Sequence, residues 1–297
     1  MTPLKHPLHV LYAFAAAALY AIAAPLSKML LHELSPAMLA GLLYLGAGVG
    51  MSVVGLFRRN RSNIARFAIS DRVYVVLMVA LDVAAPILLL VGLKTTAAAN
   101  ASLLNNFEIV ATSLFAFFSF GEKISRRVGI GILLVTAASA LLAFDEGGAL
   151  AFSPGSLFIV AAATCWGLEN NCTRMLSTKD PLRVVVVKGY GAGTVALAIA
   201  FVTGGFAFDG VSIIASLLLG FVAYGLSIFL YVTSQAHLGA ARTASYYAIA
   251  PFIGAGLSIV LFRELPGWIF GIALALLLLG AWFVSFEPMR ATHTPES

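Results

Sequence analysis

Residues 98–124 read AANASLLNNFEIVATSLFAFFSFGEKI, and residues 240–266 read AARTASYYAIAPFIGAGLSIVLFRELP. Aligned without gaps, both stretches open on Ala-Ala and close on Phe-x-Glu, as Phe120-Gly121-Glu122 and Phe262-Arg263-Glu264. A second match lies upstream in each half. Tyr20 precedes Lys28-Met29-Leu30 by eight positions, and Trp166 precedes Arg174-Met175-Leu176 by the same interval. The first pair is 142 residues apart and the second 146, about half of a 297-residue chain. The sequence is therefore written twice.

Composition says where such a chain lives. It is 61% apolar and only 10% charged, whereas charged residues make up roughly a quarter of soluble domains. A membrane-spanning helix needs about 20 mostly apolar residues, so the chain has room for roughly ten. The apolar segments run over 9–31, 36–57, 73–93, 97–119, 127–144, 155–176, 183–203, 212–235, 240–262 and 266–286. Lys and Arg concentrate in cytoplasmic loops. With the N-terminus inside, fifteen of the 18 basic residues, from Lys5 and the Arg58–Arg72 run to Lys188, Arg242 and Arg290, fall at or near cytoplasmic ends. The exceptions are Lys28, Lys94 and Arg263. The net charge of +5 is thus a topology signal and not a nucleic-acid footprint.

Five helices per half is an odd number, so the second half enters the bilayer in the opposite sense. The expectation is an all-α integral membrane protein of ten transmembrane helices in two inverted five-helix repeats, residues 1–146 and 147–288. Both termini are cytoplasmic, and residues 289–297 form a polar tail. The boundary falls in the acidic, Gly-rich stretch Phe144-Asp145-Glu146-Gly147-Gly148. The first apolar segment has no clear cleavage site and reads as a retained helix. Cys165 and Cys172 lie roughly 10 Å apart along one helix, too far to bridge, and read as free packing thiols. The pairs Gly46/Gly50, Gly189/Gly193 and Gly267/Gly271 mark close helix contacts. Packing within one chain explains them, so a monomer or weak dimer is expected.

Ionisable residues inside a spanning helix are costly and face interior cavities or partners. Asp82, Glu108 and Glu169 stand out. Ala101, Asn105, Glu108, Thr112 and Phe115 share one face by their spacing, with Asn106 adjoining, and Trp166, Glu169, Asn170 and Thr173 share another. With Asp82 on the third span and Tyr224, Ser227, Tyr231 and Ser234 on the eighth, these stripes are expected to converge on one central pocket. The candidate substrate-binding residues are Glu108, Asn105, Asn106, Asp82, Trp166, Glu169, Tyr20, Tyr224 and Tyr246. Each carboxylate also has a plainer reading, as a buried group that holds helices together, and Glu169 could pair with a basic residue and leave the pocket. Pro25, Pro86 and Pro251 sit inside spans, where each removes a backbone hydrogen bond. They are the candidate hinges. Pro25 aligns with Asn171.

No nucleotide-binding loop of the Gly-x-x-x-x-Gly-Lys type occurs, so gradients are the expected energy source. Low dielectric favours the neutral form of a carboxylate, which makes Glu108, then Asp82, the candidates if transport is proton-coupled. Passive exchange needs neither.

The doubled five-helix unit, the Tyr20/Trp166 to Lys28/Arg174 segments, and the Ala-rich helices that end in Gly121-Glu122 and Arg263-Glu264 resemble the drug/metabolite transporter superfamily, in its bacterial EamA-type, ten-helix branch. The resemblance covers nearly the whole chain and implies an inner-membrane exporter with a central cavity, alternating access and no cofactor or metal. Its implied cargo is a small amphipathic metabolite, with amino acids, aromatic ones among them, foremost. The family often has Pro in the middle of the fourth helix, where Glu108-Ile109 stands here, and Ala21 replaces the Gly that Gly167 retains. Drug export on the same scaffold and a passive channel are compatible with the same pattern.

An intramembrane hydrolase would have to use Ser227 and His237. These lie roughly 15 Å apart along one helix and cannot form a bonded pair.

Overall fold

The computed structural model describes residues 7–57, 67–121, 124–145, 153–176, 179–238, 243, 246–263 and 266–285. The expectations for Lys5, Arg58 to Arg66, Glu122, Lys123, the linker Glu146-Gly147-Gly148, Arg242, Glu264, Arg290 and the tail lie outside these residues. Among the described residues the chain is helical, with no β-strand. This is what lipid demands, since a helix pairs its own backbone N–H and C=O groups.

In order the helices are α1 (Pro7–Ala21), α2 (Ala23–Leu30), α3 (Pro36–Phe57), α4 (Arg72–Leu93), α5 (Ala98–Leu104), α6 (Phe107–Phe120), α7 (Arg126–Asp145), α8 (Pro154–Met175), α9 (Pro181–Val202), α10 (Gly210–Leu219), a π-helical stretch (Gly220–Leu226), α11 (Ser227–Leu238), α12 (Ala250–Phe262) and α13 (Trp268–Ser285). Among the described residues seven helical segments are long and apolar enough to cross a bilayer, and α12 and α13 are shorter apolar helices. The chain is a multi-pass membrane protein. Large apolar side chains such as Phe118, Leu133, Val202 and Val211 are more than two-thirds exposed, as side chains facing hydrocarbon are. Asp180 and Asp209 cap α9 and α10 by accepting from Leu182 N and Ser212 N. Hydrogen bonds from the Ser212 side chain and backbone hold Asp209 below the usual carboxylate range.

The principal contacts join α3 to α9, α4 to α8, α1 to α11, α5 to α12 and α7 to α13. Each pairs a helix from before the linker with one from after it. Small residues set the closest approach. A Cβ on Gly189 would collide with the Gly48 backbone, one on Gly46 would meet the Leu217 carbonyl, and one on Gly193 would lie 2.8 Å from Leu45 Cγ. The expectation for Gly271 needs correction: a Cβ there meets nothing within 4 Å, and α13 approaches α7 through Gly280, whose Cβ would lie 3.1 Å from the Gly131 carbonyl.

Three apolar segments are not continuous helices. The first breaks at Ile22, between α1 and α2. Pro25 has no N–H to donate to the Ala21 carbonyl and its ring crowds that oxygen. The fourth breaks at Asn105-Asn106, without a proline. The Asn106 side chain donates to the Leu103 carbonyl at 3.1 Å, a local bond that competes with the helix ladder. In the ninth, Ala248 and Ile249 form a turn before α12, and Pro251 occupies its first turn.

The repeat also shows in how two helices end. Gly121 closes α6 with φ 64°, and Arg263, its counterpart, closes α12 with φ 54°. A left-handed conformation costs a side-chain-bearing residue roughly 1–2 kcal/mol and glycine little. Arg263→Gly should therefore raise stability by about 0.5–1 kcal/mol and Gly121→Ala should lower it by about 1 kcal/mol, read as opposite shifts in thermal unfolding of the purified protein in detergent.

Candidate functional site

The three helix breaks meet around one cavity. Tyr20 and Ala21 come from the end of α1, Ser102 and Asn105 from the end of α5, and Pro251 and Gly254 from the start of α12. Gly254 is needed there, since a Cβ would lie 3.0 Å from both the Ala21 carbonyl and the Ser102 hydroxyl. The cavity holds about 20 Å³, room for about one water. The Asn105 side chain is 7% exposed, and its Oδ1 is buried with no hydrogen bond. An unsatisfied buried polar atom costs about 1–3 kcal/mol. It is a group waiting for a partner.

A second cluster lies along α4, α8 and α9. Lys188 Nζ donates to Glu169 Oε1 at 2.6 Å and stands 3.5 Å from Asp82 Oδ2. The Thr173 hydroxyl donates to the same Glu169 oxygen, and the Tyr44 hydroxyl donates to Asp82 Oδ1 at 2.7 Å. Asp82, Glu169 and Lys188 are each at most 4% exposed. Removing three charges from water is costly unless they pair, and here one ammonium serves two carboxylates. Half-buried Glu108 accepts from Asn170 Nδ2 at 2.5 Å, tying α6 to α8.

Tyrosines link the two places. Tyr20, at the cavity, lies 6.0 Å from Tyr224 and 5.8 Å from Tyr247 by ring centroid, and Tyr224 lies 5.3 Å from Tyr44. Tyr224 belongs to the π-helical stretch, whose Gly220 comes against the Leu43 carbonyl of α3. Such extra-residue turns are common at functional sites.

One family model, described as the EamA-like transporter family, matches residues 7–144 and again residues 153–286. The chain belongs to the EamA-like transporter family. A relative described as an uncharacterized transporter, from Methanothermobacter thermautotrophicus, is 26% identical over 295 residues, covering 89% of this chain and 82% of its own length. A crystal structure of a protein that is 21% identical superposes with a TM-score of 0.69 over 93% of this chain and 94% of its own. That likeness concerns the fold.

Within this EamA-like transporter the residues singled out from sequence divide. Tyr20, Asn105 and Pro251 line the cavity. Asn106 is buried beside the break, with its Oδ1 unbonded. Asp82 and Glu169 belong to the charged cluster, and Trp166 is buried beside Tyr44. Tyr246 packs against the lipid-facing ring of Phe14 at 5.1 Å, while its neighbour Tyr247 joins the tyrosine group. Ser227 and Ser234 donate to the Ala16 and His9 carbonyls and so fasten α11 to α1. His237 stacks on His9 at 3.8 Å, away from Ser227.

Lys188 is the residue that the charge pattern misplaces. Grouped with the cytoplasmic basic residues, it sits instead among two carboxylates, eight positions into α9. A lone Lys in Val184-Val185-Val186-Val187-Lys188-Gly189 is the available signal. Tyr44 offers none, being one aromatic in an apolar, glycine-rich helix. Lys188→Met should destabilise the protein by about 3–5 kcal/mol, because both carboxylates lose their cation. Adding Asp82→Asn and Glu169→Gln should restore most of the loss in thermal unfolding.

Proposed function

We propose that this chain is a secondary exporter of small amphipathic metabolites, amino acids and aromatic ones among them, that works by alternating access. It crosses the cell inner membrane ten times as two inverted five-helix units, with both termini in the cytoplasm. The observation that carries the reading is the convergence of three helix breaks on one small cavity. In transporters, interrupted helices present their dipole ends to substrate at the interface of two repeats. Two matches of one family model and the pairing of helices across the linker support the doubled architecture.

The cavity suits a zwitterion. α2 and α12 begin there with the positive ends of their dipoles, favourable to a carboxylate, while α1 and α5 end there and favour an ammonium. The Ala21 carbonyl, freed by Pro25, points the same way. Asn105 supplies an amide, and the Tyr20 and Tyr247 rings supply apolar faces for a side chain. A molecule of amino-acid size needs far more than one water's volume, so loading requires α1, α5 and α12 to separate. Pro25 and Pro251, at two of the breaks, are where that motion bends. The half-buried carboxylate of Glu108 favours organic cations as a second cargo class.

Purified protein in liposomes loaded with labelled amino acids should release them in a saturable way. Failure to move any of a broad panel of amino acids or cationic drugs, in either direction, would sink the substrate assignment. Asn105→Ala should lower transport about tenfold with expression unchanged, equivalent to about 1.4 kcal/mol of lost binding. Glu108→Gln should reduce transport of the cationic drugs in that panel while leaving expression unchanged.

A further inference from the structure

We propose that Asp82, shared between Tyr44 and Lys188, is a proton-binding site that couples transport to the proton gradient, and that Lys188 is the internal competitor for that proton.

The inference rests first on charge. The cluster sets two carboxylates against one ammonium, and Lys188 is the one fully buried cation among the described residues. One negative charge is left over in a region where an uncompensated charge is costly. The two carboxylates do not share Lys188 equally. Glu169 has the short bond at 2.6 Å and the Thr173 hydroxyl besides, whereas Asp82 Oδ2 is 3.5 Å away and, though buried, makes no hydrogen bond. A proton would therefore settle on Asp82 Oδ2. Oδ1 stays bonded to Tyr44, and Lys188 becomes the partner of Glu169 alone.

The backbone gives that event a consequence. Pro86 lies four positions after Asp82 inside a continuous α4, so the Asp82 carbonyl lacks its ladder donor. The helix is softest at the residue that takes the proton. Asp82 stands on α4, in the first half, while Lys188 and Glu169 stand on α9 and α8, in the second. Neutralising Asp82 weakens the tie between the halves at the point where α4 can bend. Tyr44, Tyr224 and Tyr20 connect this point to the cavity.

The groups facing Asp82 come from every packed element. They are Tyr44 of α3, Glu169 and Cys172 of α8, Lys188 of α9, Tyr224 of the π-helical stretch and Tyr20 of α1. α5 carries no titratable side chain, and Lys28 of α2 is held 2.6 Å from the Thr96 carbonyl. Glu108 faces the cluster from α6, and its bond to Asn170 makes it the control.

The proposal rests on the transporter reading for its purpose, but its test needs no substrate. Infrared titration of the full chain in detergent, from about pH 8 to about pH 5, should show a protonated-carboxyl band that grows as pH falls. Asp82→Asn, which keeps an acceptor for Tyr44, should remove the component of that band that Asp82 contributes. Glu108→Gln and Lys188→Arg should leave it. A wild-type protein with no titrating band overturns the proposal without recourse to any variant, and so does a band that Asp82→Asn leaves undiminished or that vanishes in Glu108→Gln. A transport failure with the band intact would instead count against the cargo assignment alone.

Discussion

The constraint from which the rest follows is that hydrocarbon offers no partner to a backbone amide or carbonyl. Every departure from continuous helix must be met from within the molecule, and here the departures are gathered instead of scattered. The helix ends beside the three interruptions come together around one small space, lined by Tyr20, Ala21, Ser102, Asn105, Pro251 and Gly254. Gly254 allows α12 to come against the carbonyl that Pro25 leaves unbonded. A single such break facing lipid would cost several kcal/mol.

The same economy governs charge. Asp82, Glu169 and Lys188 would each be prohibitive alone, and they are admitted as a group, with hydroxyl donors from Tyr44 to Asp82 Oδ1 and from Thr173 to Glu169. Two of the three helices involved, α8 and α9, belong to one half of the chain and α4 to the other. The cluster therefore reports on the relative position of the halves, which α3 and α9 meanwhile hold together through the Gly48–Gly189 approach.

Much of this is legible in the sequence, where apolar run lengths set helix limits close to those observed and prolines mark two of the three interruptions. The Asn105-Asn106 break is not legible as a break, since no proline stands there and side-chain amides do its work locally. Asp82, Glu108 and Glu169 stand out because carboxylates are rare in apolar runs. Their partners do not. Lys188 is grouped by its distance along the chain from a loop, and only the packing of α4 and α8 against α9 draws it inward. The choice between Tyr246 and Tyr247 is one of about 100° of helical rotation, finer than a stripe of polar residues can resolve.

Pro25 and Asn171 occupy the same place in the two copies and solve it differently. Where Pro25 leaves the Ala21 carbonyl without a donor, the Asn171 side chain donates to Gly167 O, the matching carbonyl, at 2.9 Å and to Thr112 O at 3.2 Å. One helix is broken and its twin is splinted straight. A carrier made of two identical inverted copies would rest with equal free energy facing either compartment, because each form is the other seen from the opposite side. Under the alternating access proposed above, a proline in one copy and an amide in the other would lift that degeneracy and give the empty protein a preferred orientation before any gradient is applied.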